Sequence, residues 1–212
     1  MTTLKPDMKL NKGELTRQSI LENAEKAFAE LGYEATRLEA VGDTIGIKRA
    51  AIFYYFRNKK ELYAAIFADI HSSLIRLTYE RLDGAEDPWE RLMLLVDGWV
   101  DYMVSRPTAA RLILRNCANA AHPEEHSPDY SAGALQLFRD IIQEGIAAGK
   151  FAEASSMHLV NLLSGSILHY VCNPEQLGDQ RPYRPEDPAE VANFKLVLRR
   201  TARAIVDIRE NN

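Results

Sequence analysis

Residues 36–62 read TRLEAVGDTIGIKRAAIFYYFRNKKEL, and the order of apolar, glycine and basic positions here decides the fold. Thr36, followed three residues later by Glu39, matches a capping box for a short helix with Val41 and Ile45 on one face and a stop at Gly46. A second short helix is expected at once, from about Lys48 to Phe56, with Ile52 and Phe56 one turn apart on its inner side. Asn58 with Glu61 repeats the cap signal and opens a longer helix through Leu62, Ile66, Ile70, Leu74 and Leu77. Two short helices around a glycine turn form a helix-turn-helix over residues 36–56 when a third helix packs across them.

That third helix lies just upstream. Thr16 is placed to cap it, with Leu15 and Ile20 as a hydrophobic staple, and Ile20, Leu21, Ala24, Ala27, Phe28 and Leu31 form its apolar stripe before Gly32 ends it. Downstream, Asp87-Pro88, Pro107, Pro128 and Asp187-Pro188 each sit where a helix can start. The stripes that follow are Trp89, Leu92, Met93, Val96, Val100 and Met103; Leu112 and Ile113; Leu135, Phe138, Ile142 and Ile146; and Leu159, Leu162, Leu163, Ile167 and Tyr170. Residues 173–188 carry four prolines and are expected to be an irregular connection before a last helix through Val191, Phe194, Leu198, Ala202, Ile205 and Val206. Alternating apolar and polar runs bounded by turn signals are missing, so the expected class is all-α: an N-terminal three-helix helix-turn-helix head on a larger helical bundle. The division expected is a flexible tail over 1–13, the head over 14–62 and the bundle over 63–212.

A chain of 212 residues that is 46% hydrophobic can fill the cores of two small domains or one large one. No window reaches the roughly 18 uninterrupted apolar residues of a membrane span, and residues 1–13 lack the apolar stretch of a signal peptide, so a cytoplasmic protein is expected. Cys117 and Cys172 are the two cysteines, which excludes a Cys-rich zinc module and predicts buried free thiols. The net charge of −4 taken alone opposes nucleic acid, but it is unevenly distributed. Residues 1–62 hold 11 Lys/Arg against 9 Asp/Glu, whereas residues 63–212 hold 15 against 21. Between Thr36 and Lys60, the cations Arg37, Lys48, Arg49, Arg57, Lys59 and Lys60 face only Glu39 and Asp43. A basic head on an acidic body fits a reader of double-stranded DNA despite the low overall isoelectric point.

The helix-turn-helix suits that chemistry. Val41, Ile45, Ile47, Ile52 and Phe56 are expected to fix the two helices against each other and against Phe28, leaving Arg37, Arg49, Ala50, Phe53 and Tyr55 outside. Arg49 suits a bidentate pair to guanine, Ala50 and Ala51 suit close approach to a thymine methyl, and Tyr54, Tyr55 and Lys59 suit phosphate. By helix face Phe56 belongs to the core, Tyr54 stands between core and surface, and Tyr55 is the expected contact of the two tyrosines.

Over residues 15–67 the chain resembles the tetracycline-repressor (TetR) family of bacterial transcription regulators. The resemblance is carried by ILENAEKAFAELGYEAT, the turn at Gly46-Ile47, the cluster Phe53-Tyr54-Tyr55-Phe56 and the run Asn58-Lys59-Lys60-Glu61-Leu62. It implies an all-helical homodimer that pairs through its last two helices and has one DNA-reading head per subunit, with a small-molecule effector pocket in the body. Position by position it implies DNA contacts from Thr36, Arg37, Leu38, Glu39, Lys48, Arg49, Ala50, Ala51, Phe53, Tyr54, Tyr55 and Lys59. Some positions depart from the family: Lys48 stands for a usual Ser, Ala50 for a common Gly, Phe53 for a common Tyr and Tyr55 for a common His. Lys48 removes a cap and sets a cation at a helix end that prefers negative charge, at a cost of about 0.5–2 kcal/mol.

Elsewhere, Trp99, Tyr102, Met103, Cys117, Phe138 and His169, with Ser164 and Ser166, mix apolar and polar groups as the lining of an effector pocket would. His122-Pro-Glu-Glu-His126 matches the His-x-x-Glu-His order of one class of zinc proteases, but Pro123 and Pro128 bracket it where that chemistry needs an uninterrupted helix. No phosphate-binding glycine loop and no nucleophile–base pair is evident. The expectation is therefore a regulator without catalytic residues, cofactor or metal, a repressor released from a near-palindromic operator by a small molecule. The alternatives are a ligand-insensitive dimeric DNA-binding protein and, remotely, a zinc-dependent hydrolase using His122 and His126.

Overall fold

The computed structural model describes residues 11–118, 131–177 and 183–207; His122, His126 and Pro128 lie outside them. The described residues form helices and no strand, as the periodicity predicts. They divide into two compact units, Met1–Phe67 and Ala68–Asn212, and the division falls inside one helix.

The first unit begins with α1 (Lys12–Ala35), capped by Asn11 and not by Thr16. The Asn11 carboxamide accepts the Glu14 amide at 3.0 Å while the Glu14 carboxylate accepts the Asn11 amide at 2.7 Å, satisfying two end donors at once. Thr16 lies inside the helix and its hydroxyl donates back to Lys12 O. The earlier start leaves Leu15 outside the core, 55% exposed, and Leu31 at the far end of the stripe is exposed as well. Ile20, Leu21, Ala24 and Phe28 are buried, each larger side chain contributing about 1.5–3 kcal/mol of transfer free energy. At Gly32 the backbone leaves helical geometry (φ 83°), which a Cβ would oppose.

Thr36 closes this end. Its hydroxyl donates to Gly32 O at 2.7 Å and to Ala27 O at 3.2 Å, and it is buried, so it does not cap the next helix. α2 (Leu38–Thr44) begins at Arg37 without a side-chain cap, and α3 (Arg49–Tyr55) begins at Lys48, likewise without one. The lost cap at Lys48 is as expected. α4 (Lys59–Leu82) starts with the Asn58 carboxamide accepting from Glu61 N at 2.8 Å, as its sequence signal predicts. Val41, Ile52 and Phe56 join Phe28, Leu62, Tyr63 and Ile66 in the core, with the Phe28 and Tyr63 rings edge-to-face at 5.0 Å, whereas Ile45 and Ile47 are half-buried.

In the second unit α5 (Pro88–Ser105) is central, contacting α6 (Pro107–Ala118), α7 (Ala132–Ala147), α8 (Ser156–Cys172) and α10 (Pro188–Val206). Asp87 and Asp187 each accept two amides of the first turn, with Pro following as the first helical residue, as the Asp-Pro pairs predict. α7 ends where Gly145 lies under the buried ring of Phe151, too close for any Cβ. The proline-rich connection holds a short α9 (Pro174–Leu177) that its composition hides. Tyr170, on α8, stacks on Phe194 at 4.0 Å and donates its hydroxyl to Pro185 O, while Tyr183 donates to Tyr170 O. Leu162 and Ile205, placed in apolar stripes by spacing, are exposed. Among the described residues no helix is long and apolar enough to cross a membrane.

Candidate nucleic-acid interface

The turn between α2 and α3 is set by two glycines. Gly46 takes a left-handed conformation (φ 70°), and Gly42 accepts the amides of Ile45 and Ile47 at 3.1 and 2.9 Å. A Cβ on Gly42 would meet Ile47 O at 2.5 Å, so only glycine allows the chain to fold back this closely. Gly42 carries no cap, charge or apolar signal in the sequence; what marks it is a glycine inside a seven-residue helix.

This turn presents one face of α3. Arg49, Ala50, Phe53 and Tyr54 are exposed, at positions that recur along one side of a helix, and Lys48 and Arg57, just outside its two ends, are exposed as well. Tyr54 is 85% exposed while Tyr55 is half-buried, the reverse of the expected order. The two rings meet edge-to-face at 5.1 Å, so Tyr55 supports the ring that projects. Ala51 is half-buried.

Arg37, Glu39, Arg49, Phe53, Asn58 and Lys59 line, together with Thr36 and Leu38, a concave surface of about 340 Å³ beside this face. Seven of these eight were singled out from sequence, and α2, α3 and the start of α4 bring them together. Arg49 Nη1 lies 2.5 Å from Glu39 Oε1 and its guanidinium sits over the Phe53 ring, 5.0 Å from the centroid. Hydrogen bonding by the backbone at Glu39, and then the charge of Arg49, holds the Glu39 carboxyl below its ordinary range. Lys59 donates to Glu34 O at 3.1 Å and lies 4.6 Å from the centre of the Tyr33 ring, which fixes an otherwise flexible cation. Thr36 and Leu38 are buried; they shape the floor and do not project. Cations, one exposed phenol and a small residue on a narrow helix are the donors and clearance that phosphates and base edges in a major groove require.

The six body residues expected around a pocket divide. Trp99, Tyr102, Met103 and Phe138 are buried, with Trp99 stacked on Phe138 at 6.0 Å. Cys117 and His169 are exposed, Cys117 contrary to the expected buried thiol, so the six share no single interior surface. Cys172 is half-buried, which pushes its thiol up. The Tyr102 hydroxyl donates to Ile70 O at 3.0 Å and accepts from Arg106 at 2.8 Å, and Arg106 also pairs with Asp69 at 2.7 Å. Among the described residues no group of His, Cys, Asp and Glu is arranged to hold a metal; His122 and His126 fall outside them.

Residues 20–66 match the family model described as bacterial regulatory proteins, tetR family. The chain is 27% identical over 174 residues to the HTH-type transcriptional repressor NicS of Pseudomonas putida, covering 80% of this chain and 82% of NicS. It is 26% identical over 161 residues to the HTH-type transcriptional regulator RutR of Escherichia coli strain K12, covering 73% of each. In fold it is similar to the transcriptional regulator FadR from Bacillus subtilis, solved in complex with stearoyl-CoA, with a TM-score of 0.68 at 20% identity over 85% of this chain and 96% of that one.

Proposed function

We propose that the chain, whose residues 20–66 match the tetR family of bacterial regulatory proteins and which is 27% identical to a transcriptional repressor over 80% of its length, is a transcription regulator of that family: a homodimeric repressor released from its operator by a small molecule. The reading face is that of α3, with Arg49, Ala50, Phe53 and Tyr54 toward base edges and phosphates and Lys48, Arg37 and Lys59 toward the backbone. Ala51 and Tyr55 contribute from its flank, and Glu39 acts beside Arg49. Thr36 and Leu38, being buried, act only by holding α2. The carrying observation is the exposed face of α3 with Tyr54 at its crest, the surface a recognition helix needs in the major groove.

Dimerisation is supported by apolar side chains left in solvent on the last two long helices. Val197 is 57% and Leu162 44% exposed, and Met157, Leu196 and Ile205 are exposed as well. Such a surface on two neighbouring helices favours pairing with a second copy, and two-fold symmetry then matches a near-palindromic operator with half-sites about one DNA turn (roughly 34–36 Å) apart.

For release, α4 is the element through which the body acts. Its body portion is tied to α5 by the Tyr102 hydroxyl on Ile70 O and by the Arg81–Asp101 pair at 2.8 Å, and to Arg106 by Asp69. An effector that rearranges these ties needs a coupling of only about 1–3 kcal/mol to change operator affinity 5- to 150-fold. The Bacillus subtilis regulator FadR, similar in fold, is in complex with stearoyl-CoA, which supports a small-molecule ligand for this chain as well.

Footprinting the purified protein on the DNA flanking its own coding region tests the proposal. The expected result is a protected tract with two-fold symmetry and half-sites about one turn apart; protection no greater than on unrelated DNA refutes it.

A further inference from the structure

Among the residues lining the concave surface of the head, Glu39 is the acidic one. A carboxylate facing a polyanion is repelled by it, so its place there calls for a reason. Glu39 Oε1 accepts from Arg49 Nη1 at 2.5 Å across the turn between α2 and α3, and a second constraint on Arg49 is the Phe53 ring, whose centroid lies 5.0 Å from the guanidinium. The guanidinium is held from two sides, by a charge and by a ring, while both members of the ion pair stay about half exposed (55% for Arg49, 51% for Glu39).

We infer that Glu39 is a specificity-determining positioning residue, which keeps Arg49 from binding phosphate and directs it to the guanine of a G·C pair. The inference rests on the DNA-reading function proposed above. Arg carries five N–H donors, so a guanidinium whose one edge is held by Glu39 keeps a second edge for guanine O6 and N7. Those acceptors are uncharged and tolerate a neighbouring carboxylate. A phosphate oxygen does not, since Glu39 repels it at the distance where Arg49 would bind it. The cytosine of the same pair offers its N4 amino donor, which a carboxylate accepts. Arg49 and Glu39 together thus present donors and an acceptor that match a G·C edge and oppose the sequence-independent contact that any DNA provides.

Selection from a random duplex library with the full-length protein, followed by affinities for the selected and unselected duplexes across a salt series, tests this. Wild type is expected to enrich one strongly preferred G·C pair in each half-site. Glu39→Gln is expected to bind the unselected duplex several-fold more tightly. Its discrimination should fall on the order of tenfold, and its salt slope on the unselected duplex should steepen by about 0.9 as one more cation engages phosphate. Glu39→Asp, which keeps the charge, is expected to retain more discrimination than Gln. Wild-type discrimination and salt slope in Glu39→Gln overturn the inference, as does an equal loss of affinity for both duplexes, the mark of a purely structural role. If wild type enriches no sequence at all, the DNA-reading function falls and the inference falls with it.

Discussion

Gly42 sets the turn that carries the proposed reading face, because the carbonyl of Ile47 occupies the space where a side chain would begin. Gly42→Ala is expected to force the turn open and destabilise the head by about 1–3 kcal/mol, read as a lower melting temperature together with weakened DNA binding. Tyr54 makes a different prediction, since its hydroxyl is in solvent and holds nothing together. Tyr54→Phe should leave the melting temperature unchanged and weaken operator binding about 3- to 10-fold, the value of one hydrogen bond. The residue types of the candidate interface are legible in the sequence, but single-residue orientation is not. Tyr54 and Tyr55 differ by about 100° of helix rotation, and α3 is too short for periodicity to fix which of two adjacent rings faces in. Thr36 was misjudged for a related reason: its hydroxyl serves equally as an N-cap or as a closure on the preceding helix, and the break at Gly32 placed two carbonyls within its reach.

α4 joins two chemistries, a basic start beside the candidate interface and a later portion in which Ile70, Leu74, Thr78 and Leu82 are buried and His71 is half-buried. Burial holds the His71 imidazole below its ordinary pKa of 6.5, so folding favours the neutral ring. The unfolded chain therefore binds the proton more readily. Stability from this group is full above pH 6.5 and is lost as pH falls through the lower folded value. The melting temperature is expected to decline between pH 7 and pH 5, and His71→Gln should flatten that decline; equal declines in both proteins would remove His71 as its source. Helix starts were the most legible feature of the elements, because Asp-Pro at residues 87–88 and 187–188 combines a cap with a fixed φ. The α1 start was misplaced because Asn11-x-x-Glu14 offers a complete reciprocal box one turn before Thr16. α9 stayed hidden because a single turn among prolines carries no period to detect.

On the whole molecule two surfaces stand out: a cationic one around α3 and an apolar one on α8 and α10. The second was partly legible, since Leu162 and Ile205 were recognised as apolar but assigned to the core; spacing marks an apolar face without saying whether its partner is the same chain or another copy. Val197→Glu sets a charge on that face and is expected to shift the protein from dimer to monomer in sedimentation velocity, with loss of operator binding, while helix content is unchanged. Unaltered dimer would move the interface elsewhere. Whether the exposed face of α3 reads DNA is decided by equilibrium binding of the footprinted duplex to wild type and to the Arg49→Ala/Tyr54→Ala double variant. Loss of two contacts predicts affinity reduced on the order of 30-fold or more, with helix content and oligomeric state unchanged; a double variant that binds as tightly as wild type would mean that this face does not read DNA.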